Sequence, residues 1–143
     1  MTNPEVAAQE QALPLSRRHM VVVADDEPSI LLALERLLRD EPYDLYFTTE
    51  PEKAIEWIRT RKVSVLISDH RMPAMDGTTL LELARDSSPW TARILLTGYP
   101  CDGEVLQARE TGMATLFGKP WNPLELKRVI RERVREREII DGV

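Results

Sequence analysis

Val63-Ser64-Val65-Leu66-Ile67-Ser68-Asp69 is a short apolar run, rich in β-branched side chains, that closes on a carboxylate. A run of this length and character marks a strand covered on both faces, as strands are in parallel sheets. Met20-Val21-Val22-Val23-Ala24 is a second such run and closes on Asp25-Asp26. Ile94-Leu95-Leu96 leads directly into Thr97, and Ala114-Thr115-Leu116-Phe117 comes shortly before Lys119-Pro120. Strand-like and helix-like segments alternate over residues 20–24, 29–39, 43–48, 51–60, 63–68, 78–86, 92–96, 103–110, 114–117 and 123–137. This (βα)5 alternation predicts an α/β fold, a doubly wound five-stranded parallel sheet with helices on both faces and right-handed crossovers. Ligands of open α/β sheets bind outside the carboxyl ends of the strands, so Asp25, Asp26, Asp69, Thr97 and Lys119 are expected to meet at one sheet edge.

The rest of the chain sets limits. Its 143 residues suffice for one core, and 43% hydrophobic with 30% charged residues is ordinary for a globular domain. A net charge of −5 argues against a broad phosphate-binding surface, and no direct nucleic-acid contact is expected. The single Cys101 cannot form an intramolecular disulfide, and no long apolar run suggests a membrane span or secretory leader, so a reducing, cytoplasmic setting is expected. Residues 1–19 show no sustained period and read as a flexible N-terminal arm containing His19; residues 139–143 read as a C-terminal tail. Asn122-Pro123-Leu124-Glu125 offers an N-cap, a proline at the first helical position and a glutamate able to close a capping box, which starts the last helix. The apolar stripe of that helix is Leu126, Val129, Ile130 and Val134. Its other face, with Lys127, Arg128, Arg131 and Arg135 among Glu132 and Glu136, reads as a solvated surface.

Three carboxylates brought close together repel one another, and a hard divalent cation neutralises them best. An all-oxygen, cysteine-free cluster suits Mg²⁺, which commonly bridges carboxylates to a phosphoryl group. A facing Lys119 ammonium and the Thr97 hydroxyl would complete the stabilisation of a transferring phosphoryl group, with one carboxylate as nucleophile. Singly, each of these residues reads better as a helix cap, a dipole complement or a surface group. Their joint placement at successive strand ends is what independent capping does not predict.

The chain resembles the receiver domain of two-component response regulators, a chemotaxis-regulator-like module, over roughly residues 20–137, and the domain is expected to span residues 20–138. The resemblance rests on Val22-Val23-Ala24-Asp25-Asp26-Glu27, Ser68-Asp69-His70-Arg71-Met72-Pro73-Ala74-Met75-Asp76-Gly77, Leu95-Leu96-Thr97-Gly98 and Lys119-Pro120. It implies a flavodoxin-like sheet of order 2-1-3-4-5 and Asp69 as phosphoacceptor from a sensor histidine kinase or phosphotransfer protein. It also implies Mg²⁺ held by Asp26, Asp69 and the backbone carbonyl of Arg71, with Asp25 acting through a metal-bound water. Thr97 and Lys119 would contact the phosphoryl group, and the Lys119-Pro120 peptide would be cis. The implied function is a phosphorylation-dependent switch in which the fourth helix, fifth strand and fifth helix change to control an output partner or domain, with homodimerisation possible. No enzymatic activity beyond self-phosphorylation and autodephosphorylation is expected.

Some positions depart from the commonest pattern. The position three residues before the lysine, often an aromatic in the family, is Leu116, and Phe117 should point to the opposite face. Arg71 and Tyr99 are expected to flank the pocket mouth. His70 should point away from the carboxylates and serve as neither phosphodonor nor metal ligand. Trp57 and Trp121 read as packing residues. The segments around Thr97 and Lys119 also resemble receivers joined to HD-GYP phosphodiesterase modules. Two other functions share parts of the pattern: a receiver-like module independent of phosphate, and a Mg²⁺-dependent phosphatase with an aspartyl-phosphate intermediate. The latter would need an acidic residue where Arg71 stands.

Overall fold

The structure, a computed structural model, describes residues 18–141. Ten elements alternate along the chain: β1 (His19–Ala24), α1 (Pro28–Leu38), β2 (Tyr43–Thr48), α2 (Pro51–Thr60), β3 (Val63–Asp69), α3 (Gly77–Ser87), β4 (Ala92–Thr97), α4 (Gly103–Glu110), β5 (Thr115–Gly118) and α5 (Pro123–Asp141). The strands form one sheet of order β2-β1-β3-β4-β5, parallel throughout, as the alternation and the resemblance both lead one to expect.

Local chemistry explains several boundaries. Helices α1, α2 and α5 each begin on a proline, whose fixed φ suits the first helical turn and whose missing N–H would have had no intrahelical partner. Asn122 caps α5, its Oδ1 accepting the Glu125 N–H at 3.0 Å. The Glu125 carboxylate, expected to close the box, pairs instead with Arg128. Gly112, at φ 74°, turns the chain out of α4 into β5 through a left-handed conformation that glycine adopts without strain.

The period-2 alternation of the strands splits the core in two. Val22, Ala24, Leu66 and Leu95 face α2, α3 and α4, packing with Ala54, Ile58, Leu80, Leu81, Val105 and Ala108. Val21, Val23, Val65, Ile67, Ile94 and Leu96 face α1 and α5, packing with Leu34, Leu38, Leu126, Val129, Ile130 and Val134. The stripe read for the last helix is therefore its buried face. Leu116 and Phe117 fall on opposite sides of the sheet, and Trp57 and Trp121 pack half-buried against the two cores.

Both chain ends differ from the sequence reading. His19 opens β1 rather than lying in an arm, with Nδ1 2.6 Å from Ser64 Oγ and Nε2 3.1 Å from Glu138 Oε1. Helix α5 continues through Ile139 and Ile140 to Asp141, so the expected tail begins as helix. Arg18, also placed in the arm, is buried, its guanidinium donating to Asp44 Oδ1 at 3.1 Å and to the Tyr43 carbonyl at 2.9 Å; residues 1–17 and 142–143 lie outside the described residues. Among the described residues no helix is long and apolar enough to cross a membrane.

Candidate functional site

Strand register assembles the acidic cluster. Ala24 lies opposite Ser68, so Asp25 and Asp69, each one position further on, emerge side by side from the two central strands. Thr97 closes β4 opposite Gly118, and the Lys119 N–H donates to the Thr97 carbonyl at 2.7 Å. The Lys119-Pro120 peptide is cis. Oxygens of Asp25, Asp26 and Asp69 all lie within 4.8 Å of one another. The Lys119 ammonium donates to Asp69 Oδ1 at 2.5 Å and lies 3.6 Å from Asp25 Oδ2.

Burial sharpens the electrostatics. Asp25 is fully buried; Oδ1 accepts the Glu27 N–H at 2.9 Å, while Oδ2 has no hydrogen-bond partner. Burial pushes the Asp25 carboxyl up to about 6; the Asp69 charge adds to this, and the Glu27 N–H and Lys119 oppose it. Burial likewise raises Asp69 against the hydrogen bond and charge of Lys119. Burial alone would lower Lys119, but its bond to Asp69 and the charges of Asp25 and Asp69 outweigh that and hold it above its ordinary value. One ammonium facing three carboxylates leaves excess negative charge and one orphaned buried oxygen, an arrangement that a hard divalent cation fits.

The turn after β3 supports Asp69. The Gly77 N–H donates to the His70 carbonyl at 2.7 Å, and a Cβ on Gly77 would fall 2.0 Å from the Asp69 carbonyl oxygen. Only glycine permits that approach. From this turn a cleft lined by Asp26, Glu50, Met72 and Pro73 opens beside the cluster.

Arg71 and Tyr99, expected at the mouth, lie against each other, with the guanidinium 4.6 Å from the ring centre and 2.8 Å from Asp102 Oδ2. Cys101 is exposed in the adjoining turn. His70 does point away from the carboxylates, but it is far from idle. It is buried, with Nδ1 2.8 Å from Thr97 Oγ1 and Nε2 2.8 Å from Glu104 Oε1. The strand register explains this: Asp69 pairs with Leu96, so the next residues along, His70 and Thr97, share a face of the sheet.

The model of the response regulator receiver domain matches residues 21–131. The chain is 31% identical over 115 residues to the hydrogenase transcriptional regulatory protein HoxA of Cupriavidus necator, covering 80% of this chain and 24% of that protein. It is 30% identical to the response regulator GtcR of Aneurinibacillus migulanus, covering 80% of this chain and 47% of that one. It thus spans less than half the length of these two relatives. Among solved structures, the signal receiver domain of an HD domain-containing protein from Pseudomonas fluorescens superposes with a TM-score of 0.81 at 32% identity, covering 88% of this chain and 93% of that one. A CheY-like receiver domain protein from Methanospirillum hungatei gives 0.78 at 26% identity, covering 85% and 97%.

Proposed function

Because the chain belongs to the response regulator receiver domain family and so is a phosphorylation-controlled signalling switch, we propose that Asp69 is its phosphoacceptor and that a sensor histidine kinase or phosphotransfer protein is the donor. The observation that carries this reading is the Lys119 ammonium 2.5 Å from Asp69 Oδ1, with Asp25 and Asp26 alongside.

An Asp69 oxygen attacks the phosphorus of a phosphohistidine. The new P–O bond forms as the P–N bond breaks, and the departing nitrogen keeps the bonding pair and takes up a proton to become neutral imidazole. Lys119 holds the nucleophile in place and then balances the charge gathering on the phosphoryl oxygens. Thr97, at the end of the next strand, donates its hydroxyl to one of them. Asp26, Asp69 and the Arg71 carbonyl would hold Mg²⁺, with Asp25 contributing through a water. When bound, the cation offsets the excess carboxylate charge and helps neutralise the phosphoryl oxygens.

The added phosphoryl charge biases the surface of α4, β5 and α5, where the output partner reads it. That partner is a separate protein or a further domain; the two relatives are longer than this chain. The likeness to the receiver of an HD domain-containing protein supports an output of that class. Homodimerisation through α5 is compatible with its exposed Ile139 and Ile140.

Intact mass after incubation with Mg²⁺ and a small-molecule phosphodonor tests the assignment. The native chain is expected to gain one phosphoryl group and Asp69→Ala none. Equal gain in both would place the acceptor elsewhere, and gain in neither would favour a module that works without phosphate.

A further inference from the structure

His70 is 1% exposed, it adjoins the acidic cluster without belonging to it, and both its ring nitrogens are engaged. A carboxylate only accepts, so Nε2 carries the proton that it shares with Glu104. In the tautomer protonated at Nε2 alone, Nδ1 is an acceptor, and the Thr97 hydroxyl is the donor across their 2.8 Å contact. Thr97 Oγ1 itself accepts the Tyr99 N–H at 2.8 Å. A hydroxyl has a single proton, and in that tautomer it is directed at His70. The same proton cannot also reach a phosphoryl oxygen.

We propose that His70 is a positioning residue that holds the Thr97 hydroxyl away from the site before phosphorylation and, through Glu104, transmits its release to helix α4. The inference rests on Asp69 being the phosphoacceptor. When the Thr97 hydroxyl turns to a phosphoryl oxygen, Nδ1 is left as a buried acceptor without a donor, which drives the ring to shift. The ring is tied by its other nitrogen to Glu104, in the first turn of α4, so its movement pulls on that helix. Helix α4 is well placed to yield, being eight residues long with only Val105 and Ala108 buried. The neighbouring contacts point the same way. The Tyr99 ring meets His70 edge-on at 6.4 Å, and Arg71 joins Tyr99 to Asp102, the residue preceding α4. Leu116, on the same sheet face as Thr97 by register, has no polar atom with which to take over the role.

Amide NMR spectra of the full chain with Mg²⁺, before and after acetyl phosphate, test this when intact mass is measured on the same samples. In the native chain the amides of residues 103–110 are expected to shift as the phosphoryl group is gained. Glu104→Ala, at a half-exposed position that leaves the core intact, is expected to gain the phosphoryl group while the α4 response falls to about half or less. Glu104→Gln keeps an oxygen that accepts from Nε2 and is expected to restore the response, which a merely structural defect would not do. His70→Asn keeps an acceptor for Thr97 but has nothing that reaches Glu104, and should behave like Glu104→Ala; if it fails to fold, the Glu104 pair decides. A full α4 response in Glu104→Ala, or phosphoryl gain in the native chain with α4 unmoved, would overturn the proposal. No phosphoryl gain in the native chain would overturn the assignment of Asp69, and this proposal with it.

Discussion

Gly77 meets Asp69 at a distance no other residue tolerates, since a Cβ there would stand 2.0 Å from the Asp69 carbonyl oxygen and 3.0 Å from Leu95 Cδ1. Gly77→Ala must therefore displace the turn or the end of β3, at a cost of about 1–3 kcal/mol in stability. Because that strand end carries the Asp69 carboxylate, phosphoryl uptake should slow as well. Urea unfolding and the rate of mass gain check the two effects, and an alanine variant unchanged in both would refute this account of the glycine. The acidic residues, Thr97 and Lys119 could be read at this scale from sequence because each closes or closely follows an apolar run. The role of His70 could not, because alternation tells which face a side chain takes and not which residue stands opposite it.

Helix α5 is held at two levels. Leu126, Val129, Ile130 and Val134 bury its apolar stripe, and Arg131 reaches across to Glu41 just before β2, making bonds of 2.6 and 2.9 Å to the two carboxylate oxygens. Glu41 is mostly buried, and its bond to Arg131 holds its carboxyl below the ordinary value. Arg131→Ala leaves that carboxylate with only the weaker support of the Tyr43 hydroxyl and the Lys127 charge. A loss of stability is expected, kept small because the arginine is more than half exposed. A carboxyl with a depressed folded value stabilises above its unfolded value and loses that contribution as pH falls through the folded one. The gap in urea midpoint between native and variant should thus be full at neutral pH and close in acid; a gap that persists in acid would assign the loss to packing. The basic face of the helix behaves as its sequence suggests, with Arg128 paired to Glu125 and Glu132 along the same surface.

At the scale of the whole molecule, the acidic site opposes the stability of the fold that builds it. Asp25 is raised from 3.8 to about 6, so between those values the folded chain binds a proton that the unfolded chain has released. The contribution of Asp25 to the stability of the metal-free protein therefore falls as pH rises across that window and levels off above it. Adding Mg²⁺ should reverse the trend, because cation and proton compete for the same carboxylates. Thermal unfolding of the native chain and of Asp25→Asn at pH 5 and pH 7.5, with and without Mg²⁺, checks this, and a metal-free native chain that does not lose stability relative to Asp25→Asn at the higher pH would show that Asp25 is not raised. By itself the sequence determined the βα alternation, the parallel sheet and the strand-end residues of the acidic site, because period, composition and run length are local properties that survive in one dimension. Only the tertiary structure decided that His70 links Thr97 to Glu104, that Glu41 anchors α5, and that His19 and residues 139–141 extend regular elements. Each of those depends on a partner distant in the chain, and side-chain hydrogen bonds between separate elements leave no periodic trace in a sequence.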